Sequence, residues 1–195
     1  MKHLIRTIIL FTPDRRFIPL WRIVVLLLLP ALPLLTNAET PSEEYDVKLA
    51  YLFNIARFTT WEGGKASDPL PICLIGTNPF GEKLKQLAGR KIQNRSLQIS
   101  FVDLHTLAGC RLLFISASER QRLQSIQYYL ASAAGDGILT VSDLEGFVYA
   151  GGMVQLFREG SHVRIAINSK SVEAAGLRLS AQLQQLARTP PEVND

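Results

Sequence analysis

Between Ser42 and Trp61 the apolar positions recur at helical spacing. Tyr45, Leu49, Leu52 and Ala56 form one stripe, and Val47, Tyr51 and Phe58 form a second. The segment therefore predicts a helix that is apolar on more than one side. Ser42 is placed to cap it, Glu43 and Glu44 stand where the helix dipole favours carboxylates, and Glu62-Gly63-Gly64 should end it. Such a helix is either deeply buried or shared, and its surplus of apolar surface predicts a homodimer.

Downstream, short apolar runs alternate with helical patterns. Strands are predicted at 71–76, 97–102, 111–116, 138–141, 153–158 and 162–168, and helices at 79–87, 119–132 and 171–188. Strands joined through helices of about 10–15 residues indicate right-handed parallel crossovers. Only the runs 153–158 and 162–168, separated by Glu159-Gly160-Ser161, read as an antiparallel hairpin. In the last predicted helix Val172, Ala175, Leu179, Leu183 and Leu186 make one stripe, which should pack on the sheet. The expected fold class is α/β: a mostly parallel sheet flanked by helices on both faces, a three-layer sandwich, with one antiparallel hairpin near the C-terminus.

The N-terminal segment has a different character. Lys2, Arg6, Arg15, Arg16 and Arg22 precede an apolar core at 23–35, and Thr36-Asn37-Ala38 offers small residues for cleavage. This is the pattern of a secretory signal peptide cut after Ala38. An uncleaved anchor would need about 20 apolar residues, whereas this run is shorter and interrupted by Pro30 and Pro33. Residues 1–38 are thus expected to be removed, leaving 39–195 as a single extracytoplasmic domain.

Composition narrows the partners. The chain of 195 residues is 47% apolar and 19% charged, which excludes a disordered polymer. Its net charge of +4 would suggest an anionic partner, but the excess lies entirely in the leader. Beyond residue 38 there are 16 Lys and Arg against 16 Asp and Glu. A neutral domain is poorly suited to replacing phosphate counterions, so nucleic acid is not expected as a partner. Cys73 and Cys110 are the only thiols. In an oxidising compartment an even count predicts a disulfide, the alternative being two buried thiols.

The sequence offers few catalytic patterns. Gly135-Asp136-Gly137 precedes a strand instead of following one, so it fails as a dinucleotide loop. His105 and His162 are far apart, and Asp143 and Glu145 are explained by turn chemistry as readily as by acid–base work. With no nucleophile, base and orienting group that belong together, no enzymatic activity, cofactor or metal is expected.

Several blocks taken in order resemble the YfiR family of periplasmic regulators. These are residues 47–58 with Trp61, then 72–76 with Asn78-Pro79-Phe80-Gly81, 110–116, 139–143, Gly151-Gly152-Met153-Val154, and 163–168 running into 175–180. The resemblance implies a small α/β protein that represses a membrane-bound diguanylate cyclase by binding its periplasmic domain, lowering cyclic di-GMP and biofilm formation. An outer-membrane lipoprotein that sequesters the repressor is the second partner it implies, and Cys73 and Cys110 fall where family members place a disulfide. No Cys follows Cys110 here, so a second bridge near the Gly-Gly block is absent. Trp61, Gly151, Gly152 and Asn168 read as fold signature. Asn54, a polar residue on the most apolar helix, and Phe147 and Tyr149, aromatics in a connecting segment, are the candidate partner contacts. The competing reading is a small-molecule-sensing binding protein of the same fold.

Overall fold

The computed structural model describes residues 41–61, 68–107, 109–131 and 137–191. The expected leader, the Glu62-Gly63-Gly64 stop and most of the Gly135 segment lie outside them. The first helix, α1, spans Pro41–Arg57. It stops before the β-branched pair Thr59-Thr60, where the chain enters strand β1, Thr59–Trp61, instead of continuing as helix to Trp61. Thr59 Oγ1 donates to the Ile55 carbonyl at 2.6 Å, so the first strand residue occupies one of the acceptors a helix end leaves open.

Seven strands form the main sheet: β2 (Leu70–Ile75), β3 (Lys91–Ile92), β4 (Arg95–Val102), β5 (Leu112–Ile115), β6 (Leu139–Ser142), β7 (Val154–Glu159) and β8 (His162–Ile167). Their order is β3-β4-β2-β5-β6-β7-β8. Neighbours from β4 through β7 are parallel, while β3 on one edge and β8 on the other pair antiparallel. The sheet is therefore mixed, not mostly parallel. The β7–β8 hairpin is the one the sequence predicts; β3–β4 is a second.

Strand β9, Leu177–Leu179, pairs antiparallel with β1 in a separate two-stranded sheet. It splits the helix predicted over 171–188 into α3, Ser169–Ala174, and α4, Ala181–Gln185. Gly176 stands between them at φ +67°, a left-handed conformation that ends α3. Ser180 then caps α4 through its hydroxyl, which accepts from the Leu183 N–H. The helix expected over 79–87 is likewise reduced to two 3₁₀ turns, Gly81–Lys83 and Lys85–Leu87. There the Asn78 side chain accepts from Phe80 N–H and donates to the Gly81 carbonyl, competing with a helical first turn. Residues 117–122 are also 3₁₀, leading into the short helix α2, Leu123–Tyr129.

Side chains alternate between the two faces along each buried strand. Ile72, Leu74, Leu112, Phe114, Leu139, Val141 and Leu156 meet Leu49, Leu52, Ile55 and Ala56 of α1 together with Val172, Leu177 and Leu183. Cys73, Ile75, Leu113 and Ile115 point to the other face, under Leu107, Ile126 of α2, Leu144 and Phe147. The coverings are unequal: among the described residues the second face has the 3₁₀ turns of 117–122, the short helix α2 and loops, so the three-layer sandwich with helices on both faces is not reproduced. Most of the second stripe of α1 is also absorbed, since Tyr51 and Phe58 pack against the same core and only Val47 remains an exposed large apolar residue on that helix. The surplus that predicted a homodimer is correspondingly small.

Candidate partner-binding surface

The segment after β6 is a folded loop whose conformation is set by Phe147 and Gly152. Backbone N–H groups of Tyr149 and Ala150 both donate to the Gly146 carbonyl at 3.0 Å, and Gly152 N–H donates to the Phe147 carbonyl at 2.9 Å. Gly151 has φ +95°, and a Cβ on Gly152 would run into the Phe147 ring. The loop is tied from outside as well. Asn168 accepts from Ser171 N–H with its Oδ1, capping α3, and donates from Nδ2 to the Val148 carbonyl at 3.0 Å. The buried Gln155 accepts from Val148 N–H at 3.3 Å, and Thr140 Oγ1 accepts from Met153 N–H at 3.2 Å. Gly151, Gly152 and Asn168 thus hold one loop. A Gly152→Ala variant is expected to lose about 1–3 kcal/mol of stability through overpacking, measurable by urea denaturation; a wild-type midpoint would show that the Phe147 ring can move aside.

This packing separates the two aromatic candidates. Phe147 is 0% exposed and sits among Ile115, Ile126 and Leu144, so its ring belongs to the core and is unavailable to a partner. Tyr149 is 53% exposed, and its hydroxyl donates to the Pro190 carbonyl at 2.9 Å. It borders a recess of about 490 Å³ with Ala166, Ile167, Lys170, Arg188 and Pro190. Asn54 is not part of that recess. Half-buried on α1, it lines a different groove with Phe53 and Arg90 and makes no side-chain hydrogen bond among the described residues. The three candidate contacts therefore do not form one site. Trp61 is buried, donating its indole N–H to the Arg111 carbonyl at 3.2 Å and fixing β1 beside the start of β5.

Cys73 on β2 and Cys110, just before β5, form a disulfide with Cα atoms 5.9 Å apart. The parallel register of β2 and β5 sets Cys73 opposite Leu113, and the chain before β5 brings Cys110 back to Cys73 on the face covered by Ile126 and Phe147. Both sulfurs are inside that smaller core cluster, and neither cysteine is free.

Sequence reasoning missed a buried charge cluster at the C-terminal end of β6. Asp143 Oδ2 accepts from the Tyr45 hydroxyl at 2.8 Å and from Lys48 Nζ at 3.2 Å, while its Oδ1 accepts from Ala117 N–H at 3.1 Å. Lys48 also meets Glu44 at 2.6 Å, and Glu44 meets Arg158 at 3.3 Å. The side chains of Lys48 and Asp143 are only 6% and 2% exposed. Burial, and then the hydrogen bond to Asp143, push the Tyr45 hydroxyl pKa well above its ordinary value near 10. Every charge in the cluster has an opposite partner, so its chemistry is attachment of α1 to the C-terminal end of β6 in the interior of the sheet. The i,i+4 spacing of Glu44 and Lys48 was its only local signal. Glu145, two residues from Asp143, is exposed, and His105 and His162 are separate surface residues. Among the described residues no group of three His, Cys, Asp or Glu side chains could hold a metal ion, and no helix is long and apolar enough to cross a membrane.

No curated protein matches the chain. The family model described as YfiR/HmsC-like matches residues 45–188, from the tyrosine of the charge cluster to the residue whose N–H bonds the β8 edge. The match covers all of the described strands, the Cys73–Cys110 bridge and the Gly151-Gly152 loop, and this chain belongs to the YfiR/HmsC-like family.

Proposed function

We propose that this protein, after removal of residues 1–38, works in the periplasm as a regulator that represses a membrane diguanylate cyclase by binding its periplasmic domain. The observation that carries the reading is the family match over residues 45–188. The bridge between Cys73 and Cys110 supports it, since such bonds persist in oxidising compartments. On this reading the protein is a binding module, and an outer-membrane lipoprotein that sequesters it would relieve repression. Cyclic di-GMP measured in cells with and without the gene tests the proposal. The expected result is a higher level in the deletion strain, and an unchanged level with the cyclase confirmed as expressed would overturn it.

Tyr149 is the aromatic this reading assigns to the partner. It is exposed on a loop held rigid by Asn168 and Gln155, so it can be ordered before contact at little entropic cost. Tyr149→Ala should weaken binding to the cyclase's periplasmic domain by about tenfold or more, with the melting temperature within a few degrees of wild type. A variant that binds normally moves the interface elsewhere.

A second reading, a small-molecule input, is favoured by one observation. A recess of about 390 Å³ beside the Gly151-Gly152 loop is lined by Ile115, Leu130, Phe147 and Met153, with Thr140 and Ser171 as polar groups. Apolar lining with a few polar groups is the ordinary make-up of a ligand pocket.

A further inference from the structure

Three arginines lie against aromatic rings along one stretch of the fold. The guanidinium of Arg90 is 4.6 Å from the centre of the Phe53 ring, that of Arg57 is 5.5 Å from Phe58, and that of Arg95 is 5.5 Å from Trp61. The tip of the β3–β4 hairpin joins two of them, Arg57 and Arg95. Gln93 donates from Nε2 to the Arg57 carbonyl at 2.8 Å and accepts from Arg95 Nη2 at 2.7 Å. Gln93 and Asn94 have φ of 50° and 65°, the left-handed pair of a tight two-residue hairpin turn, which here holds the amide against the end of α1.

Beside Arg90 runs a groove of about 410 Å³, with the buried Leu49 and Leu87 in its lining together with Phe53, Asn54 and Gln86. Lys83 in the same groove is neutralised by Asp46 at 2.6 Å. The Asn54 and Gln86 amides have no hydrogen-bond partner among the described residues, and the Arg57 and Arg90 guanidinium groups have no carboxylate partner there. With Lys83 offset by Asp46 and Lys85 by Glu82 at 2.9 Å, Arg57 and Arg90 are the cations left without a carboxylate beside this groove among the described residues.

We propose that this face binds an acidic peptide segment of a protein partner, with carboxylates on Arg57 and Arg90 and an apolar side chain in the groove over Leu49 and Leu87. A guanidinium resting on a ring is already oriented and keeps its in-plane N–H donors free, so a carboxylate can dock in two-pronged fashion with little further ordering. Asn54 offers both a donor and an acceptor to the incoming backbone. A lipid headgroup would use the charge but not the apolar groove. The proposal deepens the regulatory reading, on which it rests for the partner's identity, and it uses none of the residues around Tyr149.

The test is a titration with a synthetic peptide of alternating Glu and Leu, with the Gln-Leu peptide and phosphatidylglycerol vesicles alongside. The readout is the emission of Trp61, the only tryptophan among the described residues and the ring beneath Arg95. The Glu-Leu peptide should bind, more weakly as salt is raised. The Arg57→Glu/Arg90→Glu variant, its fold checked by circular dichroism, should lose at least about tenfold in affinity. Should that variant not fold, Arg90→Gln carries the same comparison. Equal affinity in the variant overturns the proposal, as does binding to the vesicles with none to the peptide. In cells, a deletion that raises cyclic di-GMP while the double variant represses fully would also overturn it. A deletion without effect would sink the regulatory reading alone, and the peptide titration would still decide the face.

Discussion

Asp143→Ala should destabilise the domain by about 3 kcal/mol, at the lower end of the range for breaking a buried ion pair. The change would remove at once the acceptors of the Tyr45 hydroxyl, Lys48 Nζ and the Ala117 N–H. Lys48 would keep Glu44 at 2.6 Å, which is why the cost stays below that of a fully orphaned buried charge. Asp143→Asn should lose less, because an amide oxygen can still accept from Tyr45 or Ala117. A Lys48→Met/Asp143→Leu double variant should recover part of the loss, since two apolar side chains do not require desolvated charges to be paired. Urea denaturation of the four proteins is the measurement; an Asp143→Ala variant within about 0.5 kcal/mol of wild type would mean that water reaches the cluster. The same cluster sets an alkaline limit. With the Tyr45 pKa raised in the fold, the neutral phenol is the form the native state favours. Its contribution is therefore complete below the ordinary tyrosine value near 10 and is lost as pH rises beyond it. Tyr45→Phe should remove that component of the alkaline decline.

The six longer strands of the main sheet were legible for two reasons: β2, β5 and β6 are short runs buried along nearly their whole length, while β4 and β8 alternate apolar and polar residues between turn signals, with β7 buried over its first four residues. The segment 171–188 misled for a physical reason. Leu177 and Leu179 are both buried on one side of β9, yet Leu179 also continues the helical stripe of Val172, Ala175, Leu183 and Leu186. Short apolar segments satisfy both periods, and the deciding feature was Gly176 between them. The charge cluster was illegible because its halves are about a hundred residues apart: Tyr45 and Asp143 are separated by 98 positions, and only the fold places α1 over the end of β6. Phe147 and Tyr149 differ by two places in one loop. Which of them faces the core was settled by Gly152, whose missing side chain makes room for the Phe147 ring. The pairing of Cys73 with Cys110 needed two predicted strands to be neighbours, which they are, and also the turn before β5 to swing Cys110 across, since the register itself sets Cys73 opposite Leu113.

Removing that bridge is the remaining large effect. Cys73→Ala or Cys110→Ala should lower stability by about 4 kcal/mol, the chain-entropy value for releasing a loop of 37 residues. For a domain of this size that corresponds to a fall in melting temperature on the order of 10 °C. Two terms act in the same direction. The unfolded chain regains the freedom the cross-link denied it, and the remaining thiol leaves a small void among Ile75, Leu113 and Ile126. Thermal melts of the variants, with thiol labelling of the denatured wild type under non-reducing conditions, measure both the cost and the bond; two reactive thiols per chain would refute it. The bridge lies on the face under Phe147, and the loop that Phe147 anchors also carries Tyr149. Loss of the bridge should therefore reach the proposed partner surface only through loosening of the core. At temperatures where the variants stay folded they should repress like wild type, and repression should fail in step with melting. A variant that stays folded but no longer represses would instead place the disulfide itself in the regulatory contact.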